Sequence, residues 1–207
     1  MMIEQSIVNK ILEVQRAKEF IIVAFCGAAD LGKTHLAKSV VKLLESYGVR
    51  SAHLGLDTFL MDRIMRKKRG ISGYDPRAHD IGQMVDTLEN WREAKTLKFH
   101  PYDHHTGEKS KEFTLINARE VLLIEGLFAL HEAILPFVDL SFFFYANDKK
   151  LQQLKLEADL VKRGYTSEYS KKIYWSEFEL YKQNIEPLGE KADFRLHLQD
   201  KWQYTLN

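Results

Sequence analysis

The chain has 207 residues, a length typical of one domain with room for a lid or an insert. Its 30 Lys and Arg residues nearly balance 29 Asp and Glu residues, which argues against a general binder of nucleic acid or of an anionic membrane surface. The single cysteine, Cys26, excludes an internal disulfide framework and favours a reducing compartment. Every apolar run is far shorter than the ~20 residues of a membrane helix, so we expect a cytoplasmic protein.

Apolar spacing predicts helices and strands that alternate along the chain. Helical spacing indicates helices over 3–14, 36–44, 81–91, 148–163 and 167–182. Strands are predicted at 20–26, 51–56, 121–124, 140–145 and 194–198, and the continuous apolar run 20–26 is typical of a strand buried on both faces. Between them, the basic stretch 62–73 has the composition of a loop, and 97–116 is predicted as a hairpin with its tip near Gly107. This alternation predicts an α/β fold with a parallel sheet covered on both faces.

The strongest motif is a phosphate-binding loop. Residues 27–34 match G-x-x-x-x-G-K-[ST], with a predicted strand before them and a helix after them. We assign ATP phosphate binding to Gly27, Ala28, Ala29, Asp30, Leu31, Gly32, Lys33, Thr34 and His35. The alternative is a glycine-bounded strand–helix turn that carries a surface lysine.

The chemistry of phosphate binding explains the order of residues in this loop. Glycines allow backbone N–H groups to turn towards phosphate oxygens, at the positive end of the helix dipole. Lys33 would neutralise the β- and γ-phosphates, and the Thr34 hydroxyl would bind Mg²⁺. Asp30 and Leu31 stand where many such loops have small residues, but a side chain at such a position can point outward, so the loop assignment is kept.

Two acids follow predicted strands and therefore lie at the carboxyl edge of the sheet, where α/β proteins bind ligands. Asp57 is placed to accept the proton of a substrate hydroxyl that attacks the γ-phosphate. Glu125 is placed for a direct or indirect contact with Mg²⁺. The alternatives are a turn or N-cap role for Asp57 and a surface position for Glu125.

Five motifs in chain order resemble those of uridine kinases. They are the phosphate loop, Asp57-Thr58-Phe59, Gly73-Tyr74-Asp75-Pro76, Pro101-Tyr102-Asp103 and Leu123-Ile124-Glu125-Gly126-Leu127. The similarity runs from about residue 20 to residue 164. Uridine kinases belong with phosphoribulokinase and type I pantothenate kinase in one group of P-loop kinases, and the order of the five motifs is more specific than the phosphate loop alone.

The resemblance implies a P-loop NTPase fold of the nucleotide-kinase type, with a five-stranded parallel sheet flanked by helices. It implies a kinase domain over residues 1–207, a substrate-covering β-hairpin at about 97–116 and a lid at about 148–165. It also implies ATP-dependent phosphorylation of a hydroxyl, with Mg²⁺ and with Asp57 as the base. Lys155 and Arg163 align with cations of the lid.

The substrate end departs from the uridine kinase pattern. The departures are Leu60, Gly107, Lys155, Ala158, Tyr165 and Ile173. Gly107 aligns with the histidine that reads the pyrimidine edge, whereas Tyr74 and the sugar-holding Asp75 are kept. The kinase interpretation is therefore stronger than the uridine interpretation, because a pocket without base-reading groups discriminates poorly between bases.

Other polar residues near these motifs are candidate substrate contacts. Arg63 and Arg66, in the basic stretch, would form a clamp for a phosphorylated or carboxylated substrate, or else a solvated loop face. Tyr102 and Asp103 belong to the hairpin, and His105 is a candidate there. A metal site at the hairpin histidines is the weaker alternative, because hairpin spacing alone does not bring them together.

These residues predict a cytoplasmic P-loop kinase that transfers the γ-phosphate of ATP to a hydroxyl of a small metabolite. A uridine- or cytidine-like nucleoside is the first candidate acceptor, and another sugar-like or phosphorylated alcohol is the alternative. A nucleotide-dependent regulator and a catalytically silent nucleotide-binding module, the latter suggested by Ala158 and Tyr165, are the rival classes. Homo-oligomerisation stays open, because the aromatic helix 167–182 suits core or dimer packing.

Overall fold

The computed structural model describes residues 2–199 and 202–207. The strands are β1 (Ile21–Gly27), β2 (Ser51–Gly55), β3 (Leu97–Phe99), β4 (Tyr102–Asp103), β5 (Glu108–Lys109), β6 (Thr114–Ile116), β7 (Val121–Glu125), β8 (Leu140–Tyr145), β9 (Phe194–Leu198) and β10 (Tyr204–Leu206). The α-helices are α1 (Ile3–Gln15), α2 (Lys33–Ser46), α3 (Arg63–Arg69), α4 (Ile81–Arg92), α5 (Asp148–Val161) and α6 (Ser167–Asn184). Short 3₁₀ turns lie at Leu56–Phe59, Pro76–Ala78, Leu135–Phe137 and Glu186–Lys191. In the described ranges, none of these helices has both the length and the apolar character needed to cross a bilayer.

The main sheet has the order β10-β9-β8-β1-β7-β2. The five neighbouring strands β9, β8, β1, β7 and β2 pair in parallel, so the predicted five-stranded parallel sheet is confirmed. The sheet also contains β10, which pairs antiparallel with β9 and which the sequence prediction missed. Every residue of β1 is buried, as its uninterrupted apolar run predicts for a central strand.

Two helix ends have typical terminal residues, and one local prediction is wrong. Gly48 follows the last turn of α2 and has a left-handed φ of 80°. Asp80 is the N-cap of α4, and its carboxylate accepts a 2.9 Å hydrogen bond from the backbone amide of Gln83. The basic stretch predicted as a loop contains α3 instead. All residues of α3 are at least partly exposed, so the helix buries no apolar stripe from which its period could be read.

The hairpin and the lid have more detail than predicted. Residues 97–116 form two short antiparallel ladders, one between β3 and β6 and one between β4 and β5, with Gly107 in the left-handed region at a φ of 79°. The predicted lid helix ends at Val161, and Gly164 is also left-handed before α6 begins. The lid helix follows the carboxyl end of β8, and the hairpin connects α4 to β7.

Candidate active site

A cavity of about 470 Å³ lies at the carboxyl ends of β1, β2 and β7. The predicted site residues that line it are Ala29, Asp30, Gly32, Lys33, Thr34, His35, Asp57, Arg63, Arg66, Tyr74, Tyr102, Glu125, Lys155 and Arg163. The structure therefore brings the phosphate loop, Asp57 and Glu125 together with helix α3 and the predicted lid.

Backbone geometry shapes the phosphate loop where β1 meets α2. Gly27 has a φ of 130°, and a Cβ at this position would lie 2.1 Å from the carbonyl oxygen of Phe144. At Gly32, with a φ of 75°, a Cβ would lie 2.4 Å from the hydroxyl of Tyr204. That hydroxyl donates a 2.7 Å hydrogen bond to the carbonyl of Leu31, so β10 braces the loop. Glycine is required at both ends of the loop for steric reasons.

Lys33 is the first residue of α2, and its side chain is buried against the phosphate loop. Its Nζ donates hydrogen bonds to the carbonyl oxygens of Gly27, at 3.0 Å, and Ala28, at 2.6 Å. A buried ammonium held by neutral carbonyls carries an uncompensated positive charge into the cavity. The loop therefore fits an anion such as a nucleotide phosphate.

The two residues predicted to bind Mg²⁺ are in contact. The Thr34 hydroxyl donates a 2.9 Å hydrogen bond to Oε1 of Glu125, and Nε2 of His53 lies 3.5 Å from the same oxygen. A hydroxyl and a carboxylate are hard oxygen ligands of the kind Mg²⁺ takes beside substrate phosphates. Thr34 and Glu125 therefore fit the ion.

Asp57 lies in the 3₁₀ turn Leu56–Phe59, directly after β2, and about a third of its side chain is exposed. Its Oδ2 lies 3.0 Å from Nε2 of His104, a residue of the hairpin. Burial would raise the pKa of Asp57, but the hydrogen bond from His104 and the positive field of His104, His79 and Lys33 lower that pKa to about 2. The carboxylate is thus ionised at neutral pH and oriented by a histidine.

The side chains of Asp30 and Leu31 do not point outward into solvent. Leu31 is fully buried in the core, and only 7% of the Asp30 side chain is exposed. Oδ2 of Asp30 accepts hydrogen bonds of 3.0 Å from both Nη1 and Nη2 of Arg163, and its Oδ1 lies 3.0 Å from Nζ of Lys162. Burial would raise the pKa of Asp30, but Arg163 and Lys162 lower it. The left-handed backbone of Asp30, at a φ of 61°, turns its carboxylate towards the lid.

The lid cations belong to a buried network of charges. Arg163 also donates a 3.0 Å hydrogen bond to Asp159, whose side chain is fully buried. Nζ of Lys155 lies 2.7 Å from Asp159 and 2.7 Å from Glu177 of α6. The network links the phosphate loop, α5 and α6 through alternating charges, and it places both predicted lid cations on the cavity wall.

Another wall of the cavity is formed by residues of α3 and of the hairpin. Nη2 of Arg66 donates a 3.0 Å hydrogen bond to the Tyr102 hydroxyl, and both residues line the cavity. Arg63 binds the backbone carbonyls of His104 and His105, the latter at 3.2 Å. Arg63 therefore also holds the hairpin against α3, a role that the sequence did not indicate.

Three predicted substrate residues lie outside the set that lines the cavity. The carboxylate of Asp75 accepts hydrogen bonds from the backbone and the guanidinium of Arg77, and it caps the turn Pro76–Ala78. Asp103 accepts a 2.8 Å hydrogen bond from the amide of His105 within the hairpin turn. The side chain of His105 is exposed. Their substrate roles stay predictions, because their polar groups serve local turns in this structure.

The sequence interpretation missed His104, Asp159 and Glu177 as cavity residues. His104 precedes His105 in the turn between β4 and β5, and the contact with Asp57 shows which of the two histidines faces that carboxylate. Asp159 and Glu177 lie on helices that were assigned only by their apolar spacing. Asp159 lies four residues after Lys155 and four residues before Arg163. This i,i+4 spacing of opposite charges on a helix is the sequence signal for both ion pairs.

Cys26 is a core residue, and the metal alternative at the hairpin histidines gains no support. Cys26 is fully buried, and burial raises the pKa of its thiol to about 11, which suits a small core residue. Among residues 2–199 and 202–207, there is no group of three or more His, Cys, Asp or Glu side chains arranged to hold a metal ion.

An ionised carboxylate and a loop of the G-x-x-x-x-G-K-[ST] type line one cavity at the edge of a parallel sheet, an arrangement typical of P-loop kinases. The family model described as the phosphoribulokinase / uridine kinase family matches residues 22–200. The chain therefore belongs to the phosphoribulokinase and uridine kinase family, a family of phosphotransferases.

Individual relatives agree with this assignment. The chain is 29% identical to a uridine kinase of Staphylococcus epidermidis over 178 residues, which cover 83% of this chain and 84% of the relative. The structure of phosphoribulokinase from Rhodobacter spheroides superposes with a TM-score of 0.71 at 17% identity, over 88% of this chain and 72% of that one. D-glycerate 3-kinase from Cryptococcus neoformans superposes with a TM-score of 0.73 at 13% identity, over 100% and 99% of the two chains. At these identities the two structures support the fold alone.

Proposed function

We propose that this protein transfers the γ-phosphate of ATP to a hydroxyl of a small metabolite, with Asp57 as the base. The observation that carries the proposal is the placement of an ionised, oriented carboxylate and the buried ammonium of Lys33 on one cavity. A cytoplasmic location, a kinase domain over 1–207 and self-association stay predictions beside it.

The chemistry follows from the positions of these groups. The acceptor hydroxyl loses its proton to Asp57 as its oxygen bonds to the γ-phosphorus, and the bond from that phosphorus to the β,γ-bridging oxygen breaks to release ADP. Lys33 and Arg163 would neutralise charge on the phosphates. Mg²⁺, held by Thr34 and Glu125, would supply further charge neutralisation when bound. Positioning and electrostatics account for most of the catalysis.

Arg163 must change partners for this role. In the structure, its guanidinium is shared between Asp30 and Asp159. A phosphate that enters the loop competes with Asp30 for the same donors, because both are anions that accept from a planar guanidinium. The lid is thus closed on the loop by an internal carboxylate that a nucleotide can replace.

A uridine- or cytidine-like nucleoside is the first candidate acceptor. It is supported by the identity to uridine kinases over most of the chain. A second candidate, a phosphorylated or carboxylated sugar-like alcohol, is favoured by Arg66 and Arg63 on the cavity wall. Arg66 would pair with the anionic group of such an acceptor, while a nucleoside has no charge for it to meet.

The substitution Asp57→Asn tests the proposal. We expect the rate of transfer to fall by about 10³-fold, within the range for loss of a general base, while ATP binding changes by less than about threefold. The matched control is Asp86→Asn, the same chemical change at an exposed position of α4, and it should keep wild-type activity. An active Asp57→Asn enzyme would contradict the role of Asp57.

The acceptor is identified by comparing neutral and anionic alcohols at equal concentration. If the acceptor is anionic, Arg66→Gln should raise its KM by about tenfold or more, as expected for loss of a charged hydrogen bond. If the acceptor is a nucleoside, the same substitution should change its KM by less than about threefold. These outcomes separate the two candidates.

A further inference from the structure

The hairpin brings His104 to Asp57 by contacts that do not involve the His104 side chain. The Thr58 hydroxyl donates a 2.5 Å hydrogen bond to the carbonyl of His100, at the start of the hairpin. The amide of Arg63 donates a 2.8 Å bond to the carbonyl of Gly107, and its guanidinium binds the carbonyl of His104. The backbone of His104 is therefore fixed relative to Asp57 from both sides.

The chemistry of the contact identifies which group donates. An ionised carboxylate only accepts hydrogen bonds, so Nε2 of His104 carries the proton that points to Oδ2 of Asp57. The ring also packs edge-to-face on Tyr102, with centroids 5.3 Å apart, and this contact limits its rotation. His104 is thus a donor held in place by its backbone and by a neighbouring ring.

We propose that His104 is a positioning residue for the base: its imidazole N–H holds Oδ2 of Asp57, so that Oδ1 faces the acceptor hydroxyl. The proposal rests on the proposed function, because it assigns His104 a role only through Asp57. A carboxylate held on one oxygen loses rotational freedom, and its remaining oxygen is kept in line with the proton that it accepts.

Because His104 lies on the hairpin, the orientation of Asp57 depends on the position of the hairpin. His104 and Tyr102 belong to the same hairpin, which forms part of the cavity wall. The base is therefore oriented only when the hairpin rests on α3 and on the turn that holds Asp57. Closure of the hairpin over an acceptor would assemble the catalytic pair at the same time.

The charges around Asp57 come from several elements. His104 approaches from the hairpin, Lys33 from α2, and His79 from the segment that follows the turn Pro76–Ala78. His79 is buried, and burial lowers its pKa, so it adds positive charge beside Asp57 only at acidic pH. Removal of the His104 side chain takes away the hydrogen-bonding partner that most strongly lowers the pKa of Asp57.

The test compares wild type with His104→Phe, which keeps a ring without a donor, and with His104→Gln, which keeps an N–H donor. Carboxyl-carbon NMR should show Asp57 ionised down to about pH 3 in wild type and titrating at higher pH in His104→Phe. We expect kcat to fall about 10- to 100-fold in His104→Phe with the KM for ATP unchanged, and His104→Gln to restore most of it. His100→Gln, an exposed position on the same hairpin, is the control and should match wild type.

The outcomes separate this proposal from the proposed function. An active wild type with an unchanged kcat in His104→Phe, or an unchanged titration of Asp57 in that variant, would overturn the positioning role alone. A wild type that phosphorylates no alcohol would refute the proposed function and the positioning role with it. Circular dichroism of each variant shows whether it is folded, and His104→Gln decides the matter if His104→Phe is not.

Discussion

The contact between Asp30 and the lid can be tested without any substrate. We expect Asp30→Asn to lower the free energy of unfolding of the nucleotide-free protein by about 2 kcal/mol, the scale of a lost hydrogen bond to a charged group. Asparagine tolerates the left-handed backbone of this position, so the substitution removes charge with little backbone strain.

The magnitude follows from the exposure of each partner. The side chain of Lys162 is 58% exposed, so its pair with Asp30 contributes about 0.5 kcal/mol or less. Arg163 is 17% exposed and makes two hydrogen bonds to a carboxylate that is 7% exposed. A charged hydrogen bond in such surroundings is worth about 1.5–3 kcal/mol, and the amide oxygen of the variant would keep part of the acceptor capacity.

Urea denaturation at pH 7 measures the loss, and a double-mutant cycle with Arg163→Gln isolates the pair. The coupling energy should be about 1–2 kcal/mol. The control is Glu120→Gln, which breaks the more exposed pair with Arg50 and should cost less than about 1 kcal/mol. A loss below about 0.5 kcal/mol in Asp30→Asn, no more than a surface pair contributes, would refute the assignment.

The stability difference between wild type and Asp30→Asn should depend on pH. The pKa of Asp30 is lowered in the folded protein, so the folded state holds fewer protons than the unfolded state between the two values. The contribution of Asp30 to stability is therefore complete above the ordinary pKa of 3.8 and is lost as pH falls through the lower folded value. The difference in unfolding free energy between wild type and Asp30→Asn should be constant from about pH 5 to 7 and shrink below about pH 4.

Three further predictions concern the loop, the thiol and the metal. Gly27→Ala should lower the unfolding free energy by at least about 3 kcal/mol in urea, because its Cβ would lie 2.1 Å from the Phe144 carbonyl; a loss below about 1 kcal/mol would contradict the loop geometry. Cys26, with a pKa raised to about 11 by burial, should resist iodoacetamide at about pH 8 until the protein unfolds, and rapid native labelling would be inconsistent with that burial. Glu125→Gln should raise the Mg²⁺ concentration for half-maximal activity about tenfold, whereas an unchanged requirement would remove Glu125 from the metal site.

The elements with strong local patterns could be predicted from sequence. The largely apolar runs located the central strands β1, β7 and β8 because those strands are buried on both faces. The phosphate loop was recognisable because its glycines are needed for backbone geometry at fixed spacing. Asp57 and Glu125 followed from the rule that strand ends meet at one edge of a parallel sheet.

Features that depend on contacts between distant segments could not be predicted. α3 was missed because it buries no apolar stripe, and β10 because three residues are too few to show a period. The inward turn of Asp30 depends on Arg163, which lies 133 residues away in the chain. That His104, and not His105, lies beside Asp57 depends on how the turn between β4 and β5 folds against a distant segment, which its short polar sequence does not reveal.

The destination of the γ-phosphate tests the central claim most directly. The protein is incubated with Mg²⁺, γ-³²P-labelled ATP and a panel of nucleosides, sugars and anionic sugar-like alcohols, and the labelled products are separated. We predict that label appears in a phosphate ester of one alcohol and that Asp57→Asn prevents this. Label found only as inorganic phosphate, released faster when a protein partner is added, would contradict the kinase assignment and indicate a nucleotide-dependent regulator. An absence of any turnover in the folded, ATP-binding protein would contradict it in favour of a silent binding module.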